Sequence, residues 1–488
     1  MSQKQERSSL NKIAVKAGFF YVLSQLFVRG ITFLTTPVFT RLLSNEQFNQ
    51  YKLFESWLLI FAPVMSLSLY RSVERAKYDV KDKFNEFVSS VQTLSYLSIT
   101  GFFILFLILK EPVEKICSMT DFMLYIAFLY TYAHTSILYF QRREKQMMRY
   151  KASTSFTAAT VVPATLLAVL FVVIGKNTGY AEDLVTFRIA GYYIPMIVGG
   201  LCIGIVMLMQ GRRLVNLTYW RYSLRFSIPL IPEMLSIQIM NQADKLMVTY
   251  MVSKVSSSIV SLSTTVSYII WILEDSVWNA WLPWMYEKIA RDESRDIQKY
   301  WSILMHTFGL ISLGLVLFAP EIIFILGGKR YLDAIYLIAP MVTGTLFRFY
   351  SYSYTAIQNY HKKTGFVAVS TVSVMFLNII LNYIFIRMFG YRAAAYTTAF
   401  CYLVLMVMQA MMEKHITGEQ IIPLARTLRI SCTWFVLCMF TMLLFDFPSF
   451  VRYLIVICAA PVCLKYFLPQ LREIQKALRA GKKKNDNN

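Results

Sequence analysis

Four long apolar stretches of this sequence carry polar residues at helical spacing, where an apolar helix has no use for them. In the first, Gln25, Arg29, Thr32 and Thr36 are separated by 4, 3 and 4 residues and share one helix face. Arg348, Ser351, Thr355 and Gln358 repeat that arrangement, with Tyr354 nearby. A third stretch places Glu233, Ser236, Asn241 and Asp244 on roughly one face, while Lys245 points away. A fourth aligns Ser263, Ser267 and Glu274, with Asp275 adjacent. Two stripes are therefore cationic and two anionic. A guanidinium suits phosphate because its planar fork donates two parallel hydrogen bonds and keeps its proton. A carboxylate in a low-dielectric setting can titrate or hold a cation. The simpler alternative is mutual neutralisation, in which Arg29 or Arg348 pairs with Glu274 or Asp244 to hold helices together.

These stripes need elements to position them, and composition says which. The 488 residues are 56% hydrophobic and 16% charged, with a mean hydropathy of +0.48. That is the composition of a polytopic membrane protein. A hydrocarbon core about 30 Å thick takes roughly 20 apolar residues per helix. On that length the chain divides into about fourteen spans, near 17–39, 53–70, 86–109, 121–140, 152–174, 184–209, 226–252, 258–283, 301–326, 334–357, 365–386, 393–412, 428–447 and 451–468. A charge at mid-bilayer costs about 2.5–3.5 kcal/mol on insertion scales, so Arg29 and Arg348 require a reason.

The Lys and Arg residues test the threading. Of 49, the two tails and the even-numbered gaps hold 34, the odd-numbered gaps hold 11, and four lie inside spans. Cytoplasmic loops retain Lys and Arg, so both termini are predicted cytoplasmic. The net charge of +21 is then topological, set against anionic headgroups rather than nucleic acid. No cleavable signal peptide is expected, nor disulfides, a metal site or a cofactor. The gaps are too short for a soluble catalytic domain, and no Gly-rich phosphate loop is present, so ATP is not the expected drive.

The basic stretch 210–225 divides the chain into a first lobe of six helices (1–222) and a second of six (223–415). Residues 416–488 add two helices and a basic tail. A weak repeat supports the division: Arg41-Leu-Leu-Ser44 before one span matches Tyr250-Met-Val-Ser253 before another. Repeats of this kind are common in transporters, with the binding site between halves. Elsewhere, Arg188 is expected to snorkel to the outer headgroups. Trp271, Trp278, Trp281 and Trp284 are expected to form an interfacial aromatic belt. His134 and His306 read as satisfied residues within helices.

Three segments now resemble one family. Thr35-Thr-Pro-Val-Phe-Thr-Arg-Leu-Leu-Ser-Asn-Glu-Gln-Phe48 is similar to the first-helix exit of polysaccharide transporters in the multidrug/oligosaccharidyl-lipid/polysaccharide exporter superfamily. Ala243-Asp-Lys-Leu-Met247 resembles their seventh helix. The segment from Leu377-Asn-Ile-Ile-Leu-Asn382 through Thr398 resembles their eleventh helix, outer turn and twelfth helix. Asn49 stands where a Gly is usual, and Arg392 departs from the commoner Gly-Ala-Ala, which loosens the subfamily assignment. The likeness is to the Wzx-type flippases, with lipid II flippases and MATE drug exporters as cousins.

The resemblance implies an all-α, two-lobed, V-shaped bundle in the bacterial cytoplasmic membrane. It would be a transporter, not an enzyme, that flips a polyprenyl-pyrophosphate-linked oligosaccharide by alternating access, for O-antigen, capsule or another surface polysaccharide. Arg29 and Arg348 would hold the pyrophosphate. Gln25, Thr32, Ser351, Thr355, Gln358 and Asn241 would line the cavity. Asp244, Glu274, Asp275 and Glu233 would be proton or Na⁺ sites. The partners implied are the lipid-linked oligosaccharide, membrane lipids, a coupling cation and other polysaccharide-assembly membrane proteins. Two rivals remain. A cation-coupled drug exporter would favour an acidic cavity, which the two arginines oppose. A membrane polymerase or ligase would need a large outer loop, and every outer gap is short.

Overall fold

The computed structural model describes residues 30–458, apart from 32, 81, 82 and 419, together with 461, 465 and 469. Among the described residues every regular element is helical. Nine helices among the described residues are long and apolar enough to cross a membrane, or eleven if each of two bent pairs counts as one span. The bends are 67° between Asn45–Met65 and Leu69–Lys77, and 96° between Lys110–Cys117 and Asp121–Gln146. Helices suit this role because all their backbone polar groups are bonded within the segment. The protein is a multi-pass membrane protein.

Contacts divide the chain into two compact units, with the sequence boundary at Gln242 and Ala243. The first unit contains α1 (30–42), α2 (Asn45–Met65), α3 (Ser72–Val80), α4 (Phe84–Ile108), α5 (Lys110–Cys117), α6 (Asp121–Gln146), α7 (Tyr150–Asn177), α8 (Leu184–Gly211) and α9 (Leu217–Ser227). The boundary falls within α10 (Ile231–Met251). Helix α8 is central, packing on α7, α6 and α4. Small residues allow this: a Cβ on Gly191 would lie 2.7 Å from the Ala168 backbone, and one on Gly200 would lie 2.6 Å from the carbonyl of Ala133. Helices in lipid gain from such close approach, since the solvent drives no hydrophobic association there.

The second unit contains α11 (Lys254–Ala290), α12 (Ser294–Leu317), α13 (Ala319–Gly327), α14 (Ile335–Tyr360), α15 (Thr364–Phe389), α16 (Ala393–Thr417), α17 (Leu424–Met442) and α18 (Ser449–Cys458). Its centre is α14, which touches α11, α12, α16 and α17. In the apolar window of that span 72% of residues are buried, against 28% in α4 or α17. The polar stripe on α14 is therefore held inside the unit.

The two halves of the sequence repeat start their helices the same way. Ser44 caps α2, accepting from the Gln47 amide at 3.1 Å, while the Gln47 side chain accepts the Ser44 amide at 2.9 Å. Ser253 caps α11, accepting from the Ser256 amide at 3.0 Å. Each cap satisfies a donor that the first turn leaves open.

Candidate functional site

Arg348 projects from the middle of α14 and is almost enclosed by the second unit. Its Nη2 lies 3.3 Å from Oε2 of Glu274 on α11, a carboxylate with no exposed surface. The guanidinium sits 4.3 Å from the ring centre of Trp271 and 5.7 Å from that of Tyr352. Aromatic faces thus replace part of its hydration. The ion pair is single and long for a charge-assisted bond, which typically closes to about 2.7–2.9 Å. The second oxygen, Oε1 of Glu274, is buried with no hydrogen-bond partner. A buried charge pair recovers its desolvation cost only when its remaining groups are satisfied. This one is held by a single contact, with one carboxylate oxygen left unsatisfied.

The rest of that stripe is spread over several contacts. Ser351 donates its hydroxyl to the Arg348 carbonyl at 2.6 Å. Thr355 is half-buried. Gln358 is fully buried and donates to the carbonyl and side-chain oxygens of Gln409 on α16 at 3.0 and 2.6 Å. Gln409 in turn donates to Ser370 on α15 at 2.7 Å. One end of the stripe therefore meets an acid, and the other ties three helices together.

Asp244 lies at a second centre in the same unit. It is buried, and its carboxylate accepts the Thr398 hydroxyl at 2.8 and 2.9 Å and the Asn382 amide at 2.9 Å. Asn378 donates to Thr398 at 2.9 Å, and Thr397 donates to the Asn382 oxygen. Helices α10, α15 and α16 converge here. A carboxylate among hydroxyls and carboxamides can hold a proton or a small hard cation. The sequence reading reached Asp244 but not its four neighbours, although Asn378 and Asn382 stand four apart in a mostly apolar stretch of α15. Asp275 and Glu233 are half-buried, as is Asn241. Glu233 and Asn241 fall on the first-unit side of the boundary. Gln25, Arg29 and Thr32 lie outside the described residues. No group of three His, Cys, Asp or Glu able to hold a metal occurs among the described residues.

The first unit holds a buried arginine of its own. Arg188 does not snorkel. It is 4% exposed, its guanidinium 4.2 Å from the ring centre of Phe39, 4.4 Å from Tyr51 and 5.0 Å from Tyr192. It donates to the Tyr51 hydroxyl at 3.0 Å, and Tyr51 donates to Glu55 at 2.5 Å. Lys52 completes the group, 2.9 Å from Glu55. Two guanidinium nitrogens, Nε and Nη1, are buried without a partner. Glu55 and Tyr192 also line an adjoining cavity of about 340 Å³ faced by Tyr70, Tyr130, His134, Tyr193 and Gln238. The tryptophans differ from expectation as well. Trp281 and Trp284 are buried, with ring centres 4.6 Å apart, and Trp301 lies 5.6 Å from Trp281. They form a core cluster, because α12 packs over the face of α11 that carries them.

A family model described as "Polysaccharide biosynthesis protein" matches residues 14–289, more than half of the chain. The chain belongs to the polysaccharide biosynthesis protein family. This family's place in the exporter superfamily accords with the fold. A lipid II flippase, MurJ, in an inward closed conformation superposes with a TM-score of 0.65 at 17% identity, over 93% of this chain and 99% of that one. An inward-facing multidrug resistance MATE transporter gives 0.62 at 12% identity, over 81% and 98%. A transporter of the same superfamily from Pyrococcus furiosus, whose binding pocket has reversed polarity, gives 0.51 at 13%, over 83% and 95%. These likenesses establish the fold. No curated protein matches the sequence. The resemblance read from the three motifs is therefore upheld for the superfamily and for the all-helical architecture.

Proposed function

We propose that this member of the polysaccharide biosynthesis family is a flippase for a polyprenyl-pyrophosphate-linked oligosaccharide. It works by alternating access in the bacterial cytoplasmic membrane, with both termini inside. The observation that carries the reading is Arg348, a nearly enclosed guanidinium in a membrane span, held by one long contact to an acid that is itself half-satisfied. An incoming pyrophosphate offers two anionic oxygens to that fork and can take the place of Glu274. Arg29, from the cationic stripe of the first span, supplies the second clamp. The polyprenyl tail stays in the bilayer while the sugar crosses.

Asp244 is the coupling site. A proton or Na⁺ bound there neutralises a buried carboxylate and rearranges the hydrogen bonds to Asn382 and Thr398, which join three helices. The drug-exporter reading has no use for a buried guanidinium facing a cationic ligand.

The test uses cells lacking the endogenous flippase, complemented with wild type, Arg29→Ala or Arg348→Ala at matched membrane levels. Wild type restores export of the surface glycan. Each variant is expected to leave lipid-linked oligosaccharide accumulated on the cytoplasmic leaflet. Full export by both would sink the clamp.

A further inference from the structure

Helices α12 and α17 pack against each other. At the contact, Gly309 is the only residue that fits: a Cβ there would come within 2.3 Å of the Trp434 indole. Trp434 Nε1 donates to His306 Nδ1 at 3.3 Å, which pins the crossing. Before this point in each helix the two line a cleft of about 610 Å³. Arg295 and Lys299 line it from α12, and Arg426 and Arg429 from α17.

Among the described residues that line this cleft there is no carboxylate. The acids nearest in sequence, Glu293 and Asp296, are turned to Lys288, with Asp296 at 2.5 Å. Both helices also start at the cleft, at Ser294 and Leu424, so the positive ends of two helix dipoles meet where the cations gather. Topology explains why Lys and Arg lie at one end of a span. It does not explain why three arginines on two helices face one concave space.

The surface beside the cleft supplies the other half of the argument. On α17, Arg429 and Thr433 line the cleft, and Val436, Leu437 and Phe440 follow on the same helical face. Val436, Leu437 and Phe440 are exposed. In a multi-pass membrane protein such a stripe faces acyl chains. The site thus offers a cationic pocket for a head and an apolar strip for a tail, in line along one helix.

We infer that the cleft between the first turns of α12 and α17 binds a phosphate group carried on a membrane-embedded chain. Basic pockets between spans are suited to anionic lipid headgroups. The phosphate has two possible sources, an anionic phospholipid of the bilayer or the pyrophosphate of a polyprenyl carrier. The chemistry of recognition is the same. This site is separate from Arg348 and does not depend on the flippase reading.

The experiment is native mass spectrometry of the full-length protein in detergent, titrated separately with phosphatidylglycerol, phosphatidylcholine and a polyprenyl pyrophosphate. The variants are Arg295→Gln/Arg426→Gln/Arg429→Gln and, as a charge control, Lys362→Gln/Lys363→Gln, which removes exposed cations outside the cleft. Thermal unfolding and elution volume check that each is folded. Wild type is expected to retain phosphatidylglycerol or polyprenyl pyrophosphate and to release phosphatidylcholine. The cleft variant should lose affinity roughly fivefold per cation removed, about a hundredfold in all, while the control stays within about twofold. Whichever phosphate-bearing ligand shows the loss is the source. Equal binding by wild type and the cleft variant, or an equal loss in the control, would overturn the inference.

Discussion

Each unit holds an arginine buried against two or more aromatic rings, Arg188 in the first and Arg348 in the second, but the two differ in what balances the charge. Arg348 in the second unit faces one carboxylate, Glu274, and the pair is formally neutral. Arg188 in the first unit shares Glu55 with Lys52 through Tyr51, so two cations stand against one anion. Arg188 keeps two buried donors unused, while at Arg348 it is the acid that keeps an unused acceptor. The Arg348 pair is complete in charge and incomplete in hydrogen bonds. It can part when another anion arrives. The Arg188 group is locked by three rings and has no acid of its own to release. On the proposed function Arg348 exchanges its partner for the ligand, whereas Arg188 holds α8 to α2.

The largest expected effects separate those roles. Arg188→Ala should destabilise the protein by about 3–5 kcal/mol, because it empties a site enclosed by Phe39, Tyr51 and Tyr192 and breaks a buried network. Thermal unfolding in detergent would read this as a much lower midpoint. A variant that unfolds like wild type would remove the distinction between the two arginines.

Glu274→Ala should cost about 3 kcal/mol by stranding Arg348. The double change Arg348→Met/Glu274→Leu should recover most of that loss, since apolar residues of similar volume often replace a buried ion pair without penalty. Stability measurements on Arg348→Met, Glu274→Leu and the double variant form a cycle that checks it. Full additivity would mean that the two side chains do not interact.

Asp244→Asn should cost about 1–2 kcal/mol, because the amide keeps one acceptor for Thr398 and Asn382. Its effect on transport should be larger than its effect on unfolding. Uptake into vesicles with imposed Na⁺ or proton gradients should no longer respond to either gradient. A variant still driven by one of them would exclude Asp244 from coupling.

The smallest effects compare the units at matched positions. Ser44→Ala and Ser253→Ala should each cost about 1 kcal/mol, as helix caps do. Ser44 should cost the more, since it alone forms a reciprocal box with Gln47. Equal losses would show that the box adds nothing to the cap.

Much of this was legible in the sequence, for physical reasons that differ by residue. The all-helical, multi-pass character was legible because the thickness of a bilayer sets the length of an apolar run without reference to tertiary contacts. The matching junctions at Ser44 and Ser253 were legible because a turn between helices is a local pattern, although their capping role was not read from it. The pairing of Arg348 with Glu274 was one of the alternatives that the stripes allowed, since helical spacing gives a face and not its neighbour. Arg188 was misread. Its burial depends on rings from α1, α2 and its own helix, which no local pattern records. The tryptophans of α11 were misread for the same reason, because an interfacial belt and a core cluster look alike until α12 is placed. Around Asp244, Asn378 and Thr398 were visible as polar residues but gave no sign of which carboxylate they served.

The most direct test of the account is transport by Arg348→Met/Glu274→Leu, reconstituted in vesicles with a labelled polyprenyl-pyrophosphate oligosaccharide. This variant removes the charges while keeping the packing, so stability and function separate. The account predicts near-wild-type unfolding together with at least a tenfold slower transfer between leaflets, which corresponds to about 1.4 kcal/mol of lost binding to the clamp. Transfer at the wild-type rate would show that the pair only holds α11 to α14, and the central claim would fail.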